Sequence, residues 1–250
     1  MEKYQVLSRR YRPLVFSEVV GQSAIVKILK NALKTGKIPH AFLFTGIRGT
    51  GKTTTARIFA RALNCKEGIV VDPCNVCDNC LQQLEGRTLD ILEIDGASNT
   101  SVNDVRMLKE NTRFLPSHLR YKVYIIDEVH MLSTEAFNAL LKTLEEPPPY
   151  VIFILATTEP QKIPETVLSR CIRLNFKRVE PSDIYQYLAK VLSQEGVSFE
   201  ESALHIISRQ ADGSVRDALS ILELILAYGN DRVLEEDVVT LLGLLSKDKI

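Results

Sequence analysis

The sequence lacks an excess of charge, a long apolar run and a secretory leader. Its 31 basic residues balance 31 acidic ones, so any contact with nucleic acid must come from a local patch and not from bulk charge. No apolar run reaches the roughly 18 residues of a membrane span, and the first residues are not a basic segment leading into an apolar one. Internal repeats and low-complexity tracts are absent as well. These absences favour a cytoplasmic protein with no membrane partner.

The order of apolar runs predicts the fold class. A chain of 250 residues with 45% hydrophobic content can bury a full core in one or two domains. Several of its apolar runs are apolar throughout, as strands covered on both faces should be, and amphipathic segments lie between them. The runs cover residues 41–45, 91–95, 123–127, 151–158 and 171–176. This alternation predicts an α/β fold with a parallel sheet flanked by helices.

Capping signals and prolines mark where individual helices begin and end. Ser133 is a candidate cap for a helix that the prolines from Pro147 onward terminate, and Ser101 with Asp104 forms a capping-box pattern. After Pro181 the pattern changes, and only helices are predicted. They cover about 183–194, 202–211, 215–227 and 235–244. A small helical domain is therefore expected to follow the α/β domain.

One segment carries a complete phosphate-binding pattern. Gly46-Ile-Arg-Gly-Thr-Gly51-Lys52-Thr53 fits G-x-x-x-x-G-K-[ST] at every position, after a predicted strand and before a predicted helix. The glycines let the backbone N–H groups point inward at phosphates, and the helix N-terminus adds a partial positive charge. Lys52 would reach the β- and γ-phosphates, and Thr53 would ligate Mg²⁺. A chance glycine-rich loop is the alternative, and it rarely matches all eight positions in this context.

The apolar run 123–127 ends in two carboxylates, Asp127 and Glu128. Asp127 would hold the Mg²⁺ through water, and Glu128 would orient and polarise the attacking water. A surface acidic pair at a strand end is the alternative, but the intact phosphate loop argues against it. The pairing of Asp with Glu favours hydrolysis over transfer of the phosphoryl group to a second substrate.

Four of the five cysteines crowd into residues 65–80. Cys65, Cys74, Cys77 and Cys80 can close a tetrahedral structural Zn²⁺ site with no open ligand position. The spacing also matches the start of a ferredoxin-type run, but Leu84 stands where that pattern needs another cysteine. Redox-active thiols and unliganded buried thiols are compatible with the same spacing. We favour zinc in a structural role.

Longer motifs make the resemblance to a known family specific. They are Tyr4-Gln-Val-Leu-Ser-Arg-Arg-Tyr-Arg-Pro13, Val20-Gly-Gln22, Asp127-Glu128-Val-His-Met-Leu, Phe137-Asn-Ala-Leu-Leu-Lys-Thr-Leu-Glu-Glu-Pro-Pro, Ala156-Thr-Thr and Leu168-Ser-Arg-Cys171. With the cysteine module inserted after the phosphate-loop helix, this sequence resembles the AAA+ clamp loaders of bacterial DNA polymerase III from about residue 4 to 243. The resemblance implies an AAA+ P-loop domain over 1–179 with a zinc module at about 64–82. It further implies a helical lid over 180–243 and, at 244–250, the start of a linker to a collar domain.

The resemblance also implies a set of nucleotide-binding residues. The adenine pocket would be lined by Arg12, Pro13, Val20 and Gly21, and ATP or ADP phosphates would contact Gly46, Ile47, Arg48, Gly49, Thr50, Gly51, Lys52, Thr53, Thr54 and Arg216. Thr158 would sense the γ-phosphate, Arg170 would act on a neighbouring subunit's ATP, and Arg216 would reach back from the lid. Each of the three has a simpler alternative. Thr158 would only cap a strand end, and Arg170 would only interact with the dipole of the helix that it closes. The charge of Arg216 near a helix start would be offset by Asp217 beside it.

The function implied by the resemblance is that of an ATP-driven motor of the clamp loader in DNA replication. Its partners would be copies of itself, the delta and delta-prime subunits, the sliding clamp and primer-template DNA, with possible DNA contacts at Asn99, Lys142 and Thr166. Nothing in the sequence resembles a polymerase active site, so DNA-directed DNA polymerase activity would belong to the holoenzyme. Another AAA+ replication or repair ATPase and a non-hydrolysing scaffold subunit are the alternatives. The former would lack the cysteine insertion, and the latter would lose the phosphate-loop lysine or the carboxylate pair.

Overall fold

A five-stranded parallel sheet forms the centre of the first domain. In the computed structural model the described residues are 4–98, 102–228 and 232–243, with 102–106 described by their backbone alone. The strands are β1 (Ala41–Thr45), β2 (Ile91–Asp95), β3 (Lys122–Asp127), β4 (Val151–Thr157) and β5 (Ile172–Asn175). Their order in the sheet is β2-β3-β4-β1-β5, and every neighbouring pair is parallel. The predicted parallel α/β sheet is confirmed, with strand bounds within one residue of those expected.

Eleven helices are found in the described part of the chain. They are α1 (Leu7–Arg10), α2 (Ser23–Thr35), α3 (Lys52–Asn64), α4 (Asp78–Glu85), α5 (Val102–Thr112), α6 (Thr134–Glu145), α7 (Glu165–Leu168), α8 (Pro181–Glu195), α9 (Glu201–Gln210), α10 (Val215–Ala227) and α11 (Glu235–Leu241). The Ser133 side chain accepts a hydrogen bond from Ala136 N at 3.2 Å, which confirms the predicted cap of α6. Ser101 and the Asp104 side chain lie outside the described residues. None of the described helices is long and apolar enough to cross a bilayer.

Apolar side chains cover both faces of the sheet, which explains why its strands read as continuous apolar runs. On one face, Phe42 and Ile154 pack with α2 and α3 residues such as Phe59. On the other face, Leu43 and Leu155 pack with residues of α5 and α6. Strand residues alternate between the two clusters because successive side chains point to opposite faces. The sheet is therefore held rigidly between two layers of helices, and its strand ends are fixed.

The helices after Pro181 form a separate apolar cluster, which also includes Leu7 from α1. The expectation that this region is entirely helical is wrong. Two short parallel strands, β6 (Ser198–Phe199) and β7 (Arg232–Val233), pair beside the helices. The Glu200 N–H donates to Val233 O at 2.9 Å, and Val233 is fully buried. Strands of two residues are too short to produce a period of two in the sequence, so no pattern could have indicated them.

A buried carboxylate fixes the loop that precedes β3. Asp90 is 1% exposed and accepts hydrogen bonds from the backbone N–H groups of Ser117 (2.8 Å), His118 (2.9 Å) and Leu119 (3.0 Å). Burial alone would raise the pKa of this carboxyl group, but the three N–H donors and the charge of Lys122 hold the pKa below its ordinary value of 3.8. Asp90 thereby connects the start of β2 to the approach of β3.

We predict that Asp90→Asn lowers the free energy of unfolding by about 1–3 kcal/mol at neutral pH, because the amide cannot accept all three N–H donors. The folded-state pKa of Asp90 is depressed, so its contribution is present above the unfolded-state pKa and lost as pH falls through the folded-state value. The difference from wild type should therefore shrink below about pH 4. Urea unfolding at several pH values measures it.

The matched control is Asp212→Asn, which removes an exposed carboxylate paired with Arg178. Asn tolerates the positive φ of 47° at this position, so we expect a change within about 0.5 kcal/mol. Equal effects of the two substitutions would contradict the role assigned to Asp90.

Candidate nucleotide and metal sites

Three adjacent strands deliver the candidate catalytic groups to one edge of the sheet. β4 lies between β3 and β1, and all three strands run parallel. The phosphate loop follows β1, Asp127 and Glu128 close β3, and Thr158 follows the end of β4. Ligands of open parallel sheets bind beyond the carboxyl ends of the strands, which is where these groups meet.

The phosphate loop has the backbone conformation that its glycines were expected to allow. Gly46, Gly49 and Gly51 have φ angles of 139°, 79° and 98°. The Lys52 ammonium is held inside the loop, where Nζ donates to Gly46 O at 2.8 Å and to Ile47 O at 2.9 Å. Burial lowers the pKa of Lys52, while the negative charges of the two carboxylates beyond β3 oppose that shift. The loop thus keeps a dehydrated cation at the position that phosphates would approach.

The two groups expected to bind Mg²⁺ are in direct contact. Thr53 Oγ1 donates to Asp127 Oδ2 at 2.6 Å, which joins the first turn of α3 to the end of β3. A hydroxyl and a carboxylate are oxygen donors that a hard cation prefers, and both face the same cavity. This donor pair fits Mg²⁺ beside a nucleotide.

Glu128 stands in an unusual backbone conformation at the strand end. Its φ of 45° places it in the left-handed region, which is uncommon for a residue with a side chain. Its Oε2 accepts hydrogen bonds from Thr158 Oγ1 at 2.9 Å and from Thr158 N at 3.2 Å. Gly96 packs closely against this strand end. Its N–H donates to Asp127 O at 2.7 Å, and a Cβ at this position would lie only 2.5 Å from Glu128 O. Glu128 and Thr158 therefore form one hydrogen-bonded unit.

A cavity of about 650 Å³ connects the phosphate loop with the N-terminal segment and the helical domain. Its lining includes the expected residues Arg12, Pro13, Val20, Arg48, Gly49, Thr50, Gly51, Lys52, Thr53, Thr54, Asp127, Glu128 and Arg216. Gly21 is not part of the lining; a Cβ at that position would face the Val179 side chain at 3.0 Å. Gly46 and Ile47 are also outside it and contribute their carbonyl groups to Lys52 instead. Tyr11, Tyr187 and Leu219 are also part of the wall. Tyr11 lies in the N-terminal motif that ends at Pro13, but no sequence motif pointed to Tyr187 or Leu219.

The helical domain touches the phosphate loop directly. The Val215 N–H at the start of α10 donates to Gly49 O at 3.1 Å, and a Cβ on Gly49 would lie 1.9 Å from Ser214 Oγ. Gln22, 3% exposed, connects the phosphate loop to the segment that leads into the helical domain. Its amide oxygen accepts from Lys177 N at 3.1 Å, and its Nε2 donates to Lys177 O at 2.8 Å and to Thr50 O at 3.5 Å. No local pattern indicated this role for Gln22, because its partner is 155 positions away.

The remaining candidates lie outside the described cavity. Arg170 follows α7 and pairs with Glu145 at 2.6 Å, while its NH1 also donates to the carbonyl of Thr166. Lys142 on α6 and Thr166 on α7 are exposed, and Asn99 lies outside the described residues. The geometry therefore neither joins Arg170 to its own phosphate loop nor builds a DNA site.

The four clustered cysteines meet at one point. Their sulfur atoms all lie within 4.8 Å of one another, and none of the four is in a disulfide. Cys65 Sγ lies 3.6 Å from Cys74 Sγ, which in turn lies 3.9 Å from Cys80 Sγ. Tetrahedral Zn²⁺ with Zn–S bonds of about 2.3 Å separates its sulfurs by about 3.8 Å, so the cluster fits the ion. Burial opposes ionisation of Cys77, but the backbone N–H groups around it lower its pKa to about 6. Burial raises the pKa of Cys65 and of Cys80, so these two thiols would lose their protons only on binding a metal ion.

The cysteine module is bonded to the N-terminal segment that leads into the cavity wall. Asp72 Oδ1 accepts from Phe16 N at 3.0 Å, and its Oδ2 pairs with Lys30 Nζ at 2.8 Å. Asn75 Nδ2 donates to Leu14 O at 3.3 Å. The module therefore supports a segment that is close in sequence to Arg12 and Pro13.

Comparison with known proteins gives a consistent set of relatives. Residues 21–180 match the family model described as DNA polymerase III, delta subunit, and residues 183–231 match DNA polymerase III clamp loader subunit, ATPase lid domain. The chain is 50% identical over 246 residues to DNA polymerase III subunit tau of Salmonella typhimurium, covering 98% of this chain and 38% of that protein. It is 46% identical over 247 residues to DNA polymerase III subunit gamma of Buchnera aphidicola subsp. Baizongia pistaciae, covering 99% of this chain and 67% of that protein.

The solved structures agree on the fold. The RuvB Holliday junction branch migration motor of Thermotoga maritima aligns with a TM-score of 0.68 at 22% identity, covering 94% of this chain and 73% of that chain. At this identity the likeness shows the fold alone. The chain spans less than two fifths of the Salmonella typhimurium tau subunit, at 38% of its length.

We predict that Gly49→Ala weakens nucleotide binding more than tenfold, because the new methyl group would displace the start of α10 from the cavity wall. Gly36→Ala is the matched control: Gly36 has a φ of 67°, and nothing lies within 4 Å of a Cβ built there. Both substitutions should cost about 1–2 kcal/mol of stability from the positive φ. Titration with a fluorescent ATP analogue separates them, and equal affinities in the two variants would refute the lid contact.

Proposed function

The chain belongs to the family of bacterial DNA polymerase III tau and gamma subunits, and from that premise we propose that it is an ATP-hydrolysing motor subunit of the clamp loader that places the sliding clamp on primed DNA. The observation that carries the proposal is the convergence of Lys52, the bonded pair Thr53–Asp127, and Glu128 at one sheet edge. A scaffold subunit would need none of these groups.

The residues of the site divide the chemistry between them. Backbone N–H groups of the phosphate loop and Lys52 hold the phosphates, and Thr53 and Asp127 would hold Mg²⁺, which supplies positive charge beside the β- and γ-phosphates. Glu128 orients and polarises the attacking water as its general base. Thr158 would sense the γ-phosphate, and its hydrogen bond to the Glu128 carboxylate supports that role.

The adenine and lid contacts are part of the same proposal. Arg12, Pro13 and Val20 form the base-binding wall, and Arg216 reaches the phosphates from the first turn of α10. Gly21 is left out, because it faces Val179 and not the cavity. The contact between Val215 and Gly49 would hold Arg216 beside the phosphate loop.

Further partners follow from the family and are proposed on that basis. Membership implies assembly with other clamp-loader subunits, and we propose copies of this chain, delta, delta-prime and the sliding clamp among them. Primer-template DNA would contact the exposed positions Lys142 and Thr166, and Asn99. We further propose residues 1–179 and 180–243 as the motor and lid domains, a zinc module at about 64–82 and a cytoplasmic location. The polymerase reaction itself is assigned to other subunits of the holoenzyme.

We predict that Arg170 acts in trans. The full-length assembly with Arg170→Ala should hydrolyse ATP about 10³-fold more slowly or worse, because an arginine supplied from a neighbour can contribute 10³–10⁵-fold in comparable enzymes. Lys52→Ala should also be inactive, because it cannot hold the phosphates. Mixing the two variants with clamp and primed DNA should recover activity that neither shows alone. A mixture as inactive as its components would assign Arg170 to its own chain or to no catalytic role.

We predict one tightly held Zn²⁺ per chain at Cys65, Cys74, Cys77 and Cys80. Elemental analysis should find zinc in wild type and lose it in Cys80→Ser, with a lowered melting temperature because the metal contributes folding free energy. Cys171→Ser, which removes the one cysteine outside the cluster, should keep the zinc. Iron, or an absence of metal in wild type, would reject the assignment.

We predict that the full-length protein retains the sliding clamp only with ATP bound. Pull-down of the tagged protein should recover the clamp in ATP, and the Lys52→Ala variant should recover much less under the same conditions. Equal recovery of the clamp with and without nucleotide would show that clamp binding does not depend on ATP at the phosphate loop.

A further inference from the structure

The histidine three positions after Asp127 contacts the catalytic carboxylate, and no motif assigned it a role. We propose that His130 is a positioning residue for ATP hydrolysis, which holds the Glu128 side chain in the orientation needed to receive a proton from the attacking water. The inference rests on the proposed ATPase function and deepens it, since it concerns the same reaction.

The imidazole of His130 lies between two carboxylates. Its Nδ1 is 3.3 Å from Glu128 Oε2, and its Nε2 is 3.1 Å from Glu159 Oε1. The His130 side chain is only 6% exposed, while the two carboxylates are 29% and 36% exposed. A buried ring with a carboxylate near each nitrogen has little room to rotate.

Further contacts hold the His130 side chain and the Glu159 carboxylate beside it. Thr157 Oγ1 is 2.9 Å from His130 Nδ1 and accepts a hydrogen bond from Glu159 N at 3.0 Å. Lys162 Nζ pairs with Glu159 Oε2 at 2.8 Å. The network therefore runs from the end of β3, across the end of β4, to the 3-10 turn Pro160–Lys162.

The contacts to Glu128 all fall on one oxygen. Thr158 Oγ1 and Thr158 N donate hydrogen bonds to Oε2, and His130 Nδ1 lies 3.3 Å from the same atom. These contacts leave Oε1 as the oxygen that can accept the proton of a water molecule. Thr158 bonds Oε2 from the residue after β4, and His130 contacts it from the turn after β3.

A buried histidine can also serve packing alone, and the two roles predict different results. A packing role would lower stability, with the same effect on turnover whether Glu128 is present or not. A positioning role acts through Glu128, so its loss should lower kcat without changing nucleotide affinity, and the effect should disappear once the carboxylate is gone. Residues that act as a unit are non-additive in this way.

The experiment compares His130→Phe, which keeps a ring but no N–H donor, with His130→Gln, which restores one donor. ATP turnover is measured on the full-length protein in its assembly with clamp and primed DNA, and affinity is measured with a fluorescent ATP analogue. We expect His130→Phe to lower kcat by about 10- to 100-fold, the cost of misplacing a catalytic group by a fraction of an ångström to 1 Å. His130→Gln should recover part of the loss, and affinity should be unchanged in both.

The same substitution is then made in the Glu128→Gln background, with residual single-turnover hydrolysis as the readout. We expect His130→Phe to have no further effect there. His205→Ala is the control, because it removes a histidine that stacks on Tyr185 in the helical domain, with ring centroids 4.6 Å apart. It should leave kcat at the wild-type value.

Each outcome has a separate meaning. Wild-type kcat in His130→Phe, or an equal loss in both backgrounds, would overturn the positioning role while the ATPase proposal stands. Unchanged hydrolysis in Glu128→Gln would overturn the general-base role of Glu128 and the positioning role with it, and no hydrolysis by the wild-type assembly would overturn the ATPase proposal itself. If His130→Phe does not fold, Glu159→Ala, which removes the outer carboxylate from a half-buried position, replaces it in the cycle and should lower kcat only when Glu128 is present.

Discussion

The hydrogen bond between the Thr53 hydroxyl and the Asp127 carboxylate joins the first turn of α3, which follows β1 and the phosphate loop, to the end of β3. β1 and β3 are separated by β4, so this 2.6 Å contact requires the three strands to keep their parallel order and register. The apolar layers on both faces supply that constraint, because they fix the strands without using any polar group at the sheet edge. The phosphate loop, the carboxylates and Thr158 are in place as a consequence of this packing.

Several parts of this arrangement could be predicted from local sequence. Buried parallel strands appear as apolar runs, and a polar group at the end of each run must emerge at the same sheet edge. The cap at Ser133 and the phosphate loop are equally local, since their partners lie within a few residues. Each strand position therefore followed from a pattern within one segment, and the fold class and the likeness to clamp loaders followed from the order of several such segments.

Other parts depend on tertiary neighbours that no segment contains. His130 meets Thr157, 27 positions away, only because β3 and β4 are adjacent in the sheet. Gly21 belongs to a motif that suggests a base pocket, yet its place is decided by packing against Val179. The two-residue strands β6 and β7 exist because their backbones meet beside a helical core, and their sequences carry no period.

Lys52 illustrates how the fold prepares for a ligand in advance. Its ammonium is 5% exposed and already bonded to two backbone carbonyl groups of its own loop. The cost of stripping water from this cation is therefore met by folding of the chain and not by the arrival of a phosphate. An incoming phosphate exchanges one set of acceptors for another, which is a smaller change in free energy than dehydrating a solvated ammonium. The same residue that lowers local stability when buried thus makes the later exchange of hydrogen bonds easier.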